Sequence, residues 1–378
     1  MQKHEELLLA FLAATVNHDT NRCCALLPVD TGCWERVLAL AEKHGVTGLV
    51  FSCMELLPQT CYPDKTVLLK LFGNAEYQKR HYRKNYSTAA RFAAKLKENN
   101  VEMKVLKGIS FSTYYNQPEL RVFGDCDCYL TRLSGGDHTK RAAAGSSGFN
   151  IGNEIIKQMG GKAEFGTYKH SHLFLDNLMF ENHHYITDFN GTNIGKKIEL
   201  LLEKAINSES GVKIGNTEMV RPCAHFNALH LIRHAQGNFI LSGMILRMIY
   251  DWAVFLRSEQ DNLNWNKLYA DYETCHLRKF VDVMTSICVE YLGVKLTCDK
   301  ITLCKDRKLV DKVLKDTLED RIHMMQDESI GHKSLRILSR FCRMVHYRDL
   351  AIESVPTMIW NTFAFSSYFK RQIHLDGY

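Results

Sequence analysis

Asp125 and Asp127 stand two residues apart inside an otherwise apolar run, Val122-Phe-Gly-Asp-Cys-Asp-Cys-Tyr-Leu130, with Arg121 just ahead of it. In an extended strand alternate side chains share a face, so Asp125, Asp127 and Tyr129 point one way while Cys126, Cys128 and Leu130 point the other. An unpaired carboxylate in a dry core costs several kcal/mol, or its pKa rises until it is neutral. A fold that buries this strand must therefore place positive charge beside both aspartates. A divalent cation with oxygen ligands does so, and magnesium is commonly held by one or two carboxylates together with substrate phosphates. The competing reading is an exposed edge strand with solvated acids.

The remaining constraints are broad. The chain has 378 residues, long enough for two or three domains. Few prolines and many helix-period segments point to a mostly helical chain. A net charge of +6 permits a phosphate-bearing partner without demanding nucleic acid. The thirteen cysteines are odd in number, scattered and often within apolar runs, which fits reduced buried thiols and a cytoplasmic setting better than a disulfide framework. Glu5 and Glu6 precede the apolar Leu7 to Ala14 where a signal peptide would be basic, so this stretch reads as an amphipathic first helix. No apolar run reaches the ~18–20 residues of a membrane span, and no membrane partner is expected.

Residues 1–100 read as an N-terminal helical region, including one long helix from about Lys65 to Leu96. On it Lys79, Arg80, Arg83, Lys84 and Arg91 alternate with Tyr77, Tyr82 and Tyr86. That is either a guide for polyphosphate or RNA, or a solvated face with snorkelling side chains. Residues 101–196 read as an α/β core. It opens with a strand from Val101 to Leu106, a turn at Lys107-Gly108-Ile-Ser110, about two helical turns carrying Phe111, Tyr114 and Tyr115, and then the aspartate strand. Backbone amides at such a turn can cradle phosphate oxygens, with Lys107 as a point charge beside them. Arg121 either clamps a phosphate or pairs with Asp125 or Glu119.

Ser134 to Asp137 reads as a turn starting a short helix that ends near Gly145 or Gly148. A hairpin follows: His170 to Leu175, a turn at Asp176-Asn177, and Leu178 to Ile186. Glu181 in its second arm is the candidate third carboxylate, with Asp188 as the fallback; the alternative is an edge-strand glutamate paired with a lysine. Residues 197–378 read as a C-terminal helical domain. His225, His230 and His234 lie on one helix there, where packing or phosphate contact is favoured over metal binding because no glutamate adjoins His230 as in the zinc-protease motif. Phe239 to Arg257 reads as one helix with an Arg247–Asp251 ion pair. Further helices are expected around Val281–Leu292, Leu335–Tyr347 and Met358–Lys370.

The order Leu106-Lys-Gly108, Arg121-x-x-Gly-Asp125-Cys-Asp127, then Phe180-Glu181-Asn-His183 resembles a bacterial, uncharacterised nucleotidyltransferase family of the polymerase-β-like superfamily. The likeness extends loosely to Trp34–Val50 and to His230–Leu256. It implies an α+β fold, mostly helical, with a small mixed sheet flanked by helical regions. It also implies transfer of NMP from an NTP to an acceptor hydroxyl with release of pyrophosphate. By that resemblance Asp125, Asp127 and Glu181 would hold two magnesium ions, for which manganese can substitute. Lys107, Gly108, Ser110, Arg121 and Gly124 would bind the nucleotide. The acceptor would be a small molecule sooner than RNA, whose footing would be Lys79, Arg80, Arg83 and Lys84, or protein. The alternative on the same fold is a non-catalytic protein that binds a nucleotide or partner.

Overall fold

The computed structural model describes residues 1–133, 148–188, 192–208, 210–319 and 330–360, with 330–337 as backbone alone. Packing divides the described residues into two compact units, one drawn from 1–80, 114–122 and 231–355 and the other from 81–113, 123–230 and 356–360. These units interleave along the chain, whereas the expected boundaries near 100 and 196 follow changes of element type.

The second unit is built on one mixed sheet. Its strands are β1 (Val101–Val105), β2 (Asp125–Arg132), β3 (Lys162–Phe165), β4 (His170–Leu175), β5 (Leu178–His183), β6 (Val212–Lys213) and β7 (Met219–Arg221). They lie in the order β3-β4-β5-β2-β1-β7-β6. β2 is thus the middle strand, antiparallel to β1 and parallel to β5, which corrects the edge-strand alternative for its two aspartates. Glu181 on β5 is interior too, between β2 and β4. The β4–β5 turn has left-handed backbone at both Asp176 and Asn177, φ 50° and 66°, as a two-residue hairpin matched to strand twist requires.

Period-two alternation separates the faces of this sheet. Cys126, Cys128, Leu130, Leu173, Leu175, Leu178 and Phe180 join the buried core with Val101, Met103 and Val105 of β1. Against that face pack Ala89, Phe92, Ala93 and Leu96 of the Lys65–Glu98 helix, spaced by three and four residues so that they form one stripe. Phe92 meets Phe180 edge-on at 5.0 Å. The Gly148–Gln158 helix adds Ile155 and Ile156. It approaches closely, since a Cβ on Gly152 would come within 2.2 Å of Leu130 Cδ1. Asn182, fully buried on this side, fastens the same helix by donating its amide to the Phe149 carbonyl and to Asn153 Oδ1.

Several expectations need correction. The helix after Gly108 is a single turn, Ile109–Ser112, because a 3-10 turn at Pro118–Leu120 soon follows. β6 and β7 fall in a stretch read as helical; strands of two and three residues are too short for alternation to show. β5 ends at His183, not Ile186, and His184 and Tyr185 both donate backbone N–H to the Lys169 carbonyl. Phe239–Arg257 is two helices, Ala224–Leu241 and Leu246–Glu259, broken at Gly243 with φ 100°. The helix expected after Ser134, and most of the one expected over Met358–Lys370, lie outside the described residues.

In the first unit the Lys3–Asn17 helix is not amphipathic. Leu7 to Leu12 are all buried, with Phe11 stacked on Trp34 at 5.4 Å, as befits a helix apolar on every side. All thirteen cysteines are outside disulfides. No helix among the described residues is long and apolar enough to cross a membrane.

Candidate active site

The sheet face opposite the core collects the chemistry, and strand register explains how. Asp127 pairs with Glu181 across β2–β5, Glu181 with His172 and His183 with His170 across β4–β5. Residues paired across a sheet share a face. Asp125, Asp127, Glu181, His183 and His170 therefore converge on one side of three neighbouring strands. One carboxylate oxygen from each of Asp125, Asp127 and Glu181 lies within 4.8 Å of the others. Asp127 is deepest, 1 % exposed, while Asp125 and Glu181 are half-buried.

Positive charge does sit beside the pair. Lys107 Nζ lies 2.8 Å from Asp127 Oδ1, and His183 Nε2 lies 3.2 Å from the same oxygen and 3.5 Å from Glu181 Oε2. The other Asp127 oxygen, Oδ2, is buried without a hydrogen-bond partner among the described residues. Burial works to raise the Asp127 pKa, but Lys107 and then His183 outweigh it and hold this carboxyl well below the usual range. Asp125 is pushed up, first by burial and then by the Asp127 charge, with Lys107 only partly offsetting them. Glu181 is lowered despite burial, chiefly by its contact with His183. Burial disfavours charge on Lys107 and His183, yet Asp127 in the first case and Asp127 with Glu181 in the second raise both. His170 is depressed to about 4 by burial, against the pull of Glu181.

These residues fit a cation. Three carboxylate oxygens converge and one buried oxygen has an unused lone pair, the hard-oxygen donor set that divalent metals take.

The turn beside them is more occupied than the sequence suggests. Gly108 has φ 58° and ψ −109°, a backbone region open to glycine, and it starts the short helix. Ser110 donates its amide to the Lys107 carbonyl and Ser112 donates to the Gly108 carbonyl, so those two amides already have acceptors. Ser110 itself is fully buried. Gly124 faces open space, since a Cβ there would meet nothing within 4 Å. Arg121 is placed in the other unit, where its Nε and Nη2 each lie 2.8 Å from the Asp251 carboxylate and Tyr115 donates to Asp251 Oδ1 at 2.6 Å. Arg247, expected to pair with Asp251, donates to the Val122 carbonyl. Asp188 is exposed and receives the Tyr168 hydroxyl.

Packing accounts for two further groups of residues. His230 is buried against Phe226, its ring stacked at 5.3 Å, and burial followed by the Lys107 charge lowers it to about 3. Of the aromatics in the basic stripe, Tyr82 is buried and hydrogen-bonded to Ser112, and Tyr86 donates to the Ile214 carbonyl. Both are structural, leaving Tyr77 exposed beside Arg80, Arg83 and Lys84. The residues that the sequence offered without a role are His170 and His183. Their signal was the hairpin register, which sets one across from the other and places His183 two residues beyond Glu181 on the same face.

A family described as "Uncharacterised nucleotidyltransferase" matches this chain over residues 30–293, well over half of it. The chain belongs to that family. The match takes in all seven strands of this nucleotidyltransferase sheet and every candidate site residue named above. Comparison with curated proteins and with solved structures gives no match.

Proposed function

We propose that this nucleotidyltransferase moves NMP from an NTP to an acceptor hydroxyl on the face formed by β2, β4 and β5, with divalent metal held by Asp125, Asp127 and Glu181. The observation that carries this reading is the convergence of those three carboxylates within 4.8 Å on interior strands, with one buried Asp127 oxygen unpartnered. Magnesium suits the all-oxygen donor set, and manganese is an acceptable substitute.

In the transfer a bond forms between the acceptor oxygen and the α-phosphorus, the bridge between the α- and β-phosphates breaks, and pyrophosphate leaves with that electron pair while the acceptor proton is lost to water. Metal bound at the carboxylates would neutralise the phosphate oxygens and favour ionisation of the attacking hydroxyl. The chain's own groups position and balance charge. Lys107 keeps Asp127 ionised in a buried place, and its raised pKa leaves it a permanent cation for triphosphate oxygens nearby. Gly108 sets the turn that aims Lys107 at the strand, and the open space over Gly124 admits a close approach by substrate. Ser110, buried, supports that turn. Arg121, held by Asp251, supports the segment leading into β2.

A small-molecule acceptor is favoured over RNA, because Tyr82 and Tyr86 are structural and so withdrawn from base stacking. The test is pyrophosphate release from each of the four NTPs with magnesium or manganese and cell extract as acceptor source. Release that falls at least about a hundredfold in Glu181→Gln supports the reading. NTP binding by calorimetry with no release under any condition would instead establish the non-catalytic alternative.

A further inference from the structure

Beside the three carboxylates lies a second convergent group of different chemistry. One ligand atom from each of His170, Glu181 and His183 lies within 4.8 Å of the others. Nδ1 of His183 lies 2.9 Å from the Tyr185 carbonyl oxygen. That oxygen can only accept, so Nδ1 carries a proton, and Nε2 is the nitrogen that would exchange its own proton for a cation. Nε2 is aimed at Asp127 Oδ1 and Glu181 Oε2, both acceptors. On the other side of Glu181, His170 Nδ1 lies 3.3 Å from the same Oε2 and has no hydrogen-bond partner among the described residues, although His170 is only 7 % exposed.

A proton on His183 Nε2 satisfies one of its two carboxylates and does nothing for His170. A cation shared by the two imidazoles and Glu181 serves all three atoms. Their spacing agrees: tetrahedral bonds of about 2.0–2.1 Å put neighbouring ligand atoms about 3.3 Å apart, and the two nitrogens lie 3.3 and 3.5 Å from the shared oxygen. The backbone carbonyl behind His183 is also the partner that metal-bound histidines use to fix the tautomer. The rings are set by strand register, His170 across from His183 with centroids 5.3 Å apart, so no rearrangement of the hairpin is needed to bring them together.

We infer that His170, His183 and Glu181 form a second cation site, adjoining the all-oxygen one through Glu181 and taking a borderline transition ion of the manganese, iron, cobalt or zinc class rather than magnesium. Two imidazole nitrogens are the reason, since magnesium prefers oxygen while these ions accept nitrogen readily. The two metal positions of this face are then unlike. The inference rests on the proposed function only for the neighbouring oxygen site; the nitrogen site stands on its own donors.

Its test is metal binding by the full chain without nucleotide. Pulsed electron paramagnetic resonance on protein loaded with manganese reads imidazole nitrogen coupling directly, and calorimetry compares manganese, cobalt, zinc and magnesium. Expected are nitrogen coupling in the parent protein, and an affinity for cobalt or zinc at least about tenfold weaker in His170→Ala than in the parent. Asp125→Asn should retain the coupling. Bound manganese without nitrogen coupling in the parent, or no binding of any of the transition ions, overturns the inference whether or not a variant folds. Unchanged affinity in a His170→Ala protein that melts like the parent overturns it also. Nitrogen coupling in a protein that releases no pyrophosphate from any NTP would remove the function proposed above and leave this site intact. Magnesium-dependent release without nitrogen coupling would do the reverse.

Discussion

Asp127 illustrates how one residue is kept charged in a core. It is 1 % exposed, yet Lys107 and His183 hold it ionised. Asp251 is also buried, with a two-point contact from Arg121 and a hydrogen bond from the Tyr115 hydroxyl. Arg121→Ala strands that carboxylate and should destabilise the protein by about 3–5 kcal/mol, seen as a lower urea midpoint. A loss under half a kcal/mol would mean the pair is not a structural keystone. The two glycines should behave oppositely. Gly108→Ala meets only ordinary contacts at 3.4–3.5 Å but must adopt φ 58°, so about 1–3 kcal/mol of backbone strain is expected. Gly124→Ala meets open space and should melt within about half a kcal/mol of the parent; any loss of turnover it shows would then report crowding of substrate.

Glu199 offers a pH test at residue scale. Its carboxylate accepts the backbone N–H groups of Ile186 and Thr187, at 2.8 and 2.9 Å, and so shapes the segment after β5. Burial, partly offset by those hydrogen bonds, lifts its pKa from an ordinary 4.5 to about 7. The folded state therefore keeps a proton that the unfolded chain releases. This contribution to stability is complete below the unfolded pKa and is lost as pH rises through the folded one, on the order of 3 kcal/mol in all. Urea midpoints of the parent measured against Glu199→Gln should diverge with that sign between about pH 4.5 and pH 7. Parallel curves would show that the carboxyl ionises as freely folded as unfolded.

At the scale of elements, the long Lys65–Glu98 helix, β1, β2 and the β4–β5 hairpin were legible in the sequence because each has a long enough period or a specific turn to declare itself. β2's alternation also made Asp125 and Asp127 visible as a pair on one face. Glu181 could be named but not placed, since its convergence depends on a parallel β2–β5 pairing that leaves no local mark. The same holds for His170, which reaches the site only through hairpin register, and for Arg121, whose partner Asp251 lies 130 residues away. β6 and β7 were lost because two or three residues carry no periodicity. The close approach of the Gly148–Gln158 helix to β2 is likewise a property of pairing between elements. Gly152→Ala would drive a methyl into Leu130 and should cost about 1–3 kcal/mol in urea unfolding.

For the molecule as a whole, the family match over residues 30–293 and the convergent carboxylates fall on the same sheet, whose buried side is largely apolar and whose other side gathers carboxylates and imidazoles. The division of the chain into interleaved units means that sequence neighbours serve different ends, as Arg121 and Asp125 do within five residues. The most direct test of the account follows label from α-labelled NTPs into acceptor in the presence of magnesium or manganese, with parent protein beside the Asp125→Asn, Asp127→Asn double variant checked for an unchanged fold by circular dichroism. Labelled product and equimolar pyrophosphate are expected from the parent and neither from the variant. Label transfer that survives in the folded double variant would contradict this.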